Sequence, residues 1–128
     1  NYNKVIAIEA ATVSEMVRRQ LLPATVEYTG EIARSAKNFT LSAGLPQQYM
    51  QRHLEELSQV LDSMSADLEA LEARLARQPS EGIERARYMR DVIRPQMDTL
   101  RLSCDHAETI VDKKYWPLPT YTDLLHRV

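Results

Sequence analysis

The chain has 128 residues, a net charge of −2 with acidic and basic residues interspersed, and 44% hydrophobic residues. This length allows one domain with a single core, and the balanced charge argues against nucleic-acid binding, which needs a positive field. The apolar runs are far too short to span a membrane, and no signal peptide is visible. The single Cys104 excludes an internal disulfide and fits a reducing compartment.

The composition favours helices, because Ala, Leu, Glu and Arg are plentiful while only three glycines are present. Hydrophobic periodicity predicts three long helices over about 4–43, 46–77 and 81–111. Gly44 is a candidate C-terminal stop, Pro46 a helix opener and Ser80 an N-cap. The chain starts at Asn1 and enters a helical pattern almost at once, so we expect a fragment or a processed chain.

The first predicted helix has an unusually wide apolar face. Six residues spread over roughly 200° of a helical wheel, which is too wide for packing against one neighbouring pair of helices: Val5, Ile6, Ile8, Val13, Met16 and Val17. Pro23 should kink this helix. Its second half carries a narrower seam suited to a bundle, formed by Ala24, Tyr28, Ile32, Ala36 and Phe39.

The second predicted helix has a regular seam with steps of three and four residues, typical of helices packed side by side. The seam consists of Leu54, Leu57, Leu61, Met64, Leu68, Leu71 and Leu75.

The third predicted helix repeats this pattern with one residue that does not suit a core. Its seam is Ile83, Ala86, Arg90, Ile93, Met97, Leu100, Cys104, Ala107 and Val111. A core Arg90 must find a carboxylate partner that fixes helix register, or reach another domain. Pro95 takes an outward position, so we expect a bend and not a break.

The predicted fold is all-α, an antiparallel bundle of three long helices with the first kinked at Pro23, because short turns force neighbouring helices to run in opposite directions. Counting outward from the second turn predicts an exposed ion pair between Glu72 and Arg87. Residues 1–111 would form the bundle, and residues 112–128 a docking tail.

The tail leaves the helical periodicity. Tyr115 and Trp116 are followed by Pro117 and Pro119, which should hold the chain extended. A capping-box-like Thr120 and Asp123 would open a short helix carrying Leu124 and Leu125 just after Tyr121. We expect the tail to fold back onto residues 5–17 and to cover part of the wide apolar face of the first helix.

The sequence contains no glycine-rich phosphate loop, zinc-type Cys and His spacing or nucleophile elbow. Asp105, Glu108 and Asp112, with His106 nearby, suggest either a metal site or a solvated helix face, and the second interpretation is favoured. The heptad-spaced Arg87, Arg94 and Arg101 suggest either an anion stripe or, the favoured interpretation, a flank that pairs with acids on a neighbouring helix. Cys104 is expected to be a buried core residue.

Two stretches carry a family resemblance: "NKVIAIEAATVSEMVRRQLLPATVEYTGEIA" near the start and "YMRDVIRPQMDTLRLSCDHAETIVDKKYWPLPTYTDLL" near the end. With the helical stretch between them, they resemble the C-terminal domain of the large type III glutamine synthetases. The most specific motifs are Ile-Glu-x-x-Thr with Leu-Pro-x-x-x-x-Tyr in the first helix, and Tyr-Trp-Pro-x-Pro-Thr-Tyr in the tail. The middle helix matches only as a charged heptad helix.

This resemblance implies a cytoplasmic parent enzyme that joins glutamate and ammonia using ATP and a divalent metal such as Mg, assembled as stacked rings. The family's ligand-binding residues lie upstream, so none is carried over and no catalytic, cofactor or metal residue is expected in this chain. The implied partners are the catalytic domain of the same chain and neighbouring subunits of a homo-oligomer, without nucleic acid or membrane. The docking candidates are Val5, Ile8, Met16, Arg90, Tyr115, Trp116, Tyr121 and Leu124.

Three functional hypotheses follow. The first is a non-catalytic helical domain of glutamine synthetase used in packing and oligomer assembly. The second is a free-standing helical adaptor that dimerises through its first two helices. The third is a small enzyme with a site between helices near Arg90 and His106, which would require a pocket with convergent polar groups.

Overall fold

A computed structural model describes residues 2–45 and 47–119, and every regular element in these ranges is helical. The first long helix consists of α1 (Tyr2–Met16), a π-helical turn (Val17–Leu21) and α2 (Leu22–Ala43). The second is α3 (Gln48–Ala76). The third consists of α4 (Gly82–Tyr88), a second π-helical turn (Met89–Ile93) and α5 (Arg94–Ile110).

Each π-helical turn lies directly before a proline. In the first, the backbone N–H of Leu22 bonds to the carbonyl of Val17, five residues back, and Pro23 follows. A proline ring clashes with the carbonyl four residues earlier and cannot donate a backbone hydrogen bond. A wider turn at that point provides room for the ring, so the first helix continues through Pro23.

The third helix uses the same arrangement. The N–H of Arg94 bonds to the carbonyl of Met89, and the exposed Pro95 follows at the start of α5. A π turn adds one residue to the helical count, so the residues before it lie one position out of step with those after it. This added residue decides which side chains of the third helix face the core.

The predicted seam of the third helix is confirmed from Ile93 onward, but before it the prediction is wrong for Ile83 and Arg90, and Ala86 is half-buried. Ile93, Met97, Leu100, Cys104, Ala107 and Val111 are all buried. Met89 is fully buried in place of Arg90, which is exposed, and Ile83 is 66% exposed. The extra residue of the π turn explains the shift, because a strict heptad count assumes an uninterrupted α-helix.

The second helix supplies the centre of the core. Its buried side chains are Leu57, Val60, Met64, Leu68 and Leu71. The predicted seam is therefore confirmed over most of its length, except that Val60 is buried while Leu61 is only half-buried. These residues span about 21 Å of continuous α-helix at 1.5 Å per residue, without the interruption found in the other two helices.

Contacts between the helices occur in a regular order. Along the first and second helices, Arg18 contacts Glu72 and Tyr28 contacts His53, so the residue numbers rise on one helix as they fall on the other.

The second and third helices also meet in opposite order. The carbonyl of Arg74 accepts a hydrogen bond from the Tyr88 hydroxyl at 2.6 Å, and Glu56 faces His106 at 3.3 Å. The first and third helices instead meet in the same order, with Tyr2 against Arg94 and Glu9 against Arg101.

The two turns differ in how well the sequence predicted them. Gly44 caps the first helix in the left-handed conformation (φ 65°), and its N–H bonds to the carbonyl of Thr40 at 3.0 Å. Glycine adopts this conformation without the steric cost of a Cβ atom. Ser80 is not the N-cap of the third helix, because α4 begins at Gly82 and Glu81 occupies the capping position without a side-chain hydrogen bond. Pro46 lies outside the described residues.

None of the helices in the described ranges combines the length and the apolar character needed to cross a membrane.

Candidate functional site

The beginning of the tail is a compact turn anchored on the core. After α5, Val111 is extended, and the N–H groups of Tyr115 and Trp116 bond to the carbonyls of Asp112 and Lys113 at 2.9 and 3.2 Å. The Asp112 carboxylate accepts a hydrogen bond from the N–H of Lys114 at 3.0 Å. This side-chain-to-backbone bond stabilises the turn in the way aspartate commonly does.

The turn directs two aromatic side chains inward. Trp116 is 6% exposed and belongs to the main hydrophobic cluster, and Tyr115 and Leu118 pack against that cluster. The Tyr115 ring lies 5.4 Å from the ring of Tyr28 on α2. Trp116 therefore contributes to the core itself, and its burial removes a large apolar area from water.

The described start of the tail does not lie at the predicted docking site, which stays a prediction for residues 120–128. We expected the tail on residues 5–17, but Tyr115 lies against Tyr28, further along the first helix. The first and third helices contact each other in the same order, so the end of the third helix emerges beyond residues 5–17. The docking candidates Tyr121 and Leu124, with the predicted terminal helix, lie outside the described residues.

Tyr28 connects the tail to the second helix. Its hydroxyl and His53 Nε2 are 2.8 Å apart, and the two rings meet edge to face with centroids 5.5 Å apart. Burial raises the pKa of Tyr28, and the neighbouring Tyr49, Asp112 and Tyr115 raise it further. The Tyr28 hydroxyl therefore stays protonated at neutral pH and serves as a polar link between helices.

The start of the first helix presents an exposed apolar face, called here the N-terminal face and defined by Tyr2, Val5 and Ile8. Val5 is 55% and Ile8 65% exposed, and Tyr2 is half exposed. Spacings of three residues place these side chains along one side of α1. Two of the predicted docking candidates, Val5 and Ile8, are therefore accessible.

The opposite side of α1 faces the core. Ile6 and Ala10 are buried, and the third docking candidate of this helix, Met16, packs partly against the hydrophobic cluster. The wide apolar face predicted from the sequence is thus divided into a buried part and an exposed part. Within the described residues, the tail covers neither Val5 nor Ile8.

A second exposed apolar group, called here the tip cluster, surrounds the turn between the first and second helices. Phe39, Leu41, Leu45 and Tyr49 are each more than half exposed. The prediction that Phe39 packs in the bundle seam is wrong, because the first helix extends there beyond the third. The density of large apolar residues on both sides of Gly44 was the available sequence signal, and periodicity alone missed it.

Arg90, a docking candidate expected in the core, is exposed. Its Nε and Nη2 atoms donate to the Asp91 carboxylate at 2.8 and 3.2 Å, and these bonds lower the pKa of Asp91. Arg90 does not fix the register of the bundle, because its partner is its immediate neighbour in the chain. It remains accessible for an external contact.

The other interhelical polar contacts also differ from expectation. Glu72 pairs with Arg18 of the first helix, so the predicted pair with Arg87 is wrong; Arg18 Nε donates to Glu72 at 3.0 Å. In the predicted arginine flank, Arg101 lies 3.9 Å from Glu9 of the first helix and Arg94 is bonded to Tyr2. Both partners belong to the first helix, and only Glu9 is an acid, so the predicted pairing with acids of a neighbouring helix holds for Arg101 alone of these two.

The candidate reactive side chains of the third helix are Cys104 and His106. Cys104 is buried as predicted, and burial, with the nearby Asp105 and Asp67, raises the pKa of its thiol to about 12. The thiol therefore stays protonated at neutral pH and is a poor nucleophile. His106 faces Glu56 of the second helix at 3.3 Å. Across residues 2–45 and 47–119, no three His, Cys, Asp or Glu side chains are arranged to hold a metal ion.

Comparison with known proteins gives consistent matches. The family model described as "Glutamine synthetase C-terminal domain" matches residues 1–40. The chain is similar to the type-3 glutamine synthetase of Dictyostelium discoideum, with 30% identity over 97% of this chain. It is also similar to the glutamine synthetases of Butyrivibrio fibrisolvens, with 27% identity over 98% of the chain, and Bacteroides fragilis, with 23% identity over 97%.

The chain spans 18% of the length of each of these curated relatives. No solved structure matches it significantly.

Proposed function

Starting from the confirmed similarity of this chain to the C-terminal domain of type III glutamine synthetases, we propose that it is a non-catalytic domain that serves packing and oligomer assembly in a larger enzyme of that kind. That enzyme would join glutamate and ammonia at the expense of ATP. In this proposal ATP, divalent metal and substrates are bound by other parts of the parent chain, and the present residues contribute surfaces for association.

The N-terminal face is the observation that carries the proposal. Tyr2, Val5 and Ile8 form an exposed apolar stripe within residues 1–40, the stretch that matches the family model. The other side of the same helix is fixed in the core through Ile6 and Ala10. An apolar stripe held on a rigid helix is typical of a contact surface, so the catalytic domain or a neighbouring subunit of the parent enzyme would cover it.

The proposed architecture supports this role. The opposite order of contacts between neighbouring helices supports an antiparallel bundle, and the π turn before Pro23 is a known cause of helix kinks. Residues 1–111 would form this bundle and residues 112–128 its docking tail. Within that tail Trp116 would fasten the third helix to the rest. The parent would be a cytoplasmic homo-oligomer whose neighbouring subunits are further partners.

The test uses the full parent enzyme with the double substitution Val5→Asp and Ile8→Asp. We expect loss of assembled oligomer in native mass spectrometry and size-exclusion chromatography, because two carboxylates would have to be buried in an apolar contact. The matched control is Leu102→Asp, an exposed leucine on the third helix. Normal assembly and normal ligase activity of the double variant would contradict the proposal.

The exposed N-terminal face also supports the alternative of a free-standing dimerisation module, because two copies could cover it mutually. Sedimentation of the 128-residue chain separates the two. A concentration-dependent dimer that the same double substitution abolishes would favour the adaptor, whereas a monomer at all concentrations would favour the domain of a larger enzyme.

A further inference from the structure

An open groove of about 610 Å³ lies where the first and second helices meet the end of the third. Its lining includes Tyr28, Tyr49, Arg52, Glu56 and Asp112. We propose that this groove binds a small organic cation, an ammonium or guanidinium group. The inference does not depend on the proposed role in enzyme assembly, because none of the N-terminal face residues lines the groove.

Aromatic rings form a continuous wall along the groove. Three rings line the groove: the centroids of Tyr49 and His53 are 5.9 Å apart, and those of His53 and Tyr28 are 5.5 Å apart. The face of a tyrosine ring attracts a cation because its π electrons carry partial negative charge. The chain already shows this interaction beside the groove, where Lys114 Nζ lies 5.5 Å from the centroid of Tyr115.

The charges around the groove favour a cation as well. Asp112 and Glu56 are carboxylates, and the third helix ends here at Ile110 with the negative end of its dipole. Arg52 also lines the groove, so its lining carries two carboxylates and one guanidinium. Glu56 also faces His106 at 3.3 Å, which leaves Asp112 as the main anionic group of the groove.

The size and shape of the groove indicate the class of ligand. Its volume lies within the range of roughly 300–1,000 Å³ found for small-molecule sites. The Asp112 carboxylate is held by the N–H of Lys114, and Tyr28 is held by His53, so two of the contacting groups are already oriented. Preorganised groups lose less conformational freedom on binding. The proposed ligand is therefore a flat guanidinium or a primary ammonium, which offers a positive charge to the rings and hydrogen-bond donors to the carboxylate.

The experiment is a proton–nitrogen NMR titration of the 128-residue chain with methylguanidinium and butylammonium, and with sodium butyrate at matched ionic strength. We expect saturable shifts at Tyr28, His53 and Asp112 with both cations and none with butyrate. Non-saturable shifts, or equal shifts with butyrate, would overturn the proposal. Blocked arginine amide distinguishes the sources: tighter binding than methylguanidinium indicates a partner's side chain, and weaker binding indicates a free small molecule.

Variants locate the site. Asp112→Asn keeps the oxygen that accepts the Lys114 hydrogen bond but removes the charge, and we expect about tenfold weaker cation binding. The matched control Asp62→Asn, on the exposed side of the second helix, should bind as the unaltered chain does. If Asp112→Asn fails to fold, the exposed Tyr49→Leu tests the aromatic wall and should also weaken binding. Unchanged affinity in the folded variant would overturn the proposal.

Discussion

The two ends of the first helix differ in whether their apolar side chains are covered or exposed. Near Tyr28 the tail packs against the helix through Tyr115, and Trp116 lies in the core. Near Val5 and Ile8 it leaves apolar side chains exposed. For the part of the tail that the structure describes, which ends at residue 119, the cause is where the third helix ends, because this short segment can cover only the surface beside which it emerges. The difference separates intramolecular packing from a surface available to partners.

The largest expected effect comes from the covered end. Trp116→Ala should lower the free energy of unfolding by about 3–5 kcal/mol, because it empties the space of a buried indole in the core. Urea denaturation followed by circular dichroism measures the change. Trp116→Phe keeps most of the packing and should cost less. A loss below about 0.5 kcal/mol, the usual size of a surface effect, would show that the tail does not stabilise the bundle.

A second comparison tests the register of the third helix. Met89→Ala should cost about 2–5 kcal/mol as a core truncation, whereas Arg90→Ala should stay within about 0.5 kcal/mol as a surface change. Thermal and urea unfolding of the two variants side by side provide the measurement. If Arg90→Ala cost more stability than Met89→Ala, the third helix would follow an uninterrupted heptad, and the π turn at Met89–Ile93 would be contradicted.

Loss of the hydrogen bond between Tyr28 and His53 should have an intermediate effect on stability. Tyr28→Phe removes the hydroxyl that is bonded to His53 and leaves the ring against Tyr115 in place. We expect a loss of about 1 kcal/mol, the usual net contribution of one hydrogen bond. Histidine imidazole signals in NMR should shift for His53 and stay unchanged for His106. An unaltered His53 signal would show that the bond does not form in solution.

The smallest effect on stability is expected at the exposed end. Val5→Ala and Ile8→Ala should each change the free energy of unfolding of the 128-residue chain by no more than about 0.5 kcal/mol. The same urea titrations measure it, with Ile6→Ala as the buried neighbour that should cost about 2–5 kcal/mol. A large cost at Val5 or Ile8 would mean that these side chains are covered in solution, and the contrast between the two ends would disappear.

The local sequence pattern was sufficient to predict the regular parts of the helices. The second helix follows its own 3–4 spacing from Leu57 to Leu71 because no interruption alters the count. The third helix follows its pattern from Ile93 onward for the same reason. Gly44 ends the first helix because its left-handed conformation is a local property of glycine. The family resemblance likewise rested on short motifs near the two ends of the chain.

The three-dimensional contacts decided the rest. Because of the π turn at Met89–Ile93, Met89 lies in the core and Arg90 is exposed. A count based on regular periodicity does not predict the residue that this turn inserts. Glu72 pairs with Arg18 of the first helix and not with Arg87, a contact between residues 54 positions apart that counting from a turn cannot predict. The candidate site depends on both kinds of information. The wide apolar face of the first helix is visible in the sequence. Which part of that face stays exposed depends on where the third helix ends, and that is a property of the packed bundle.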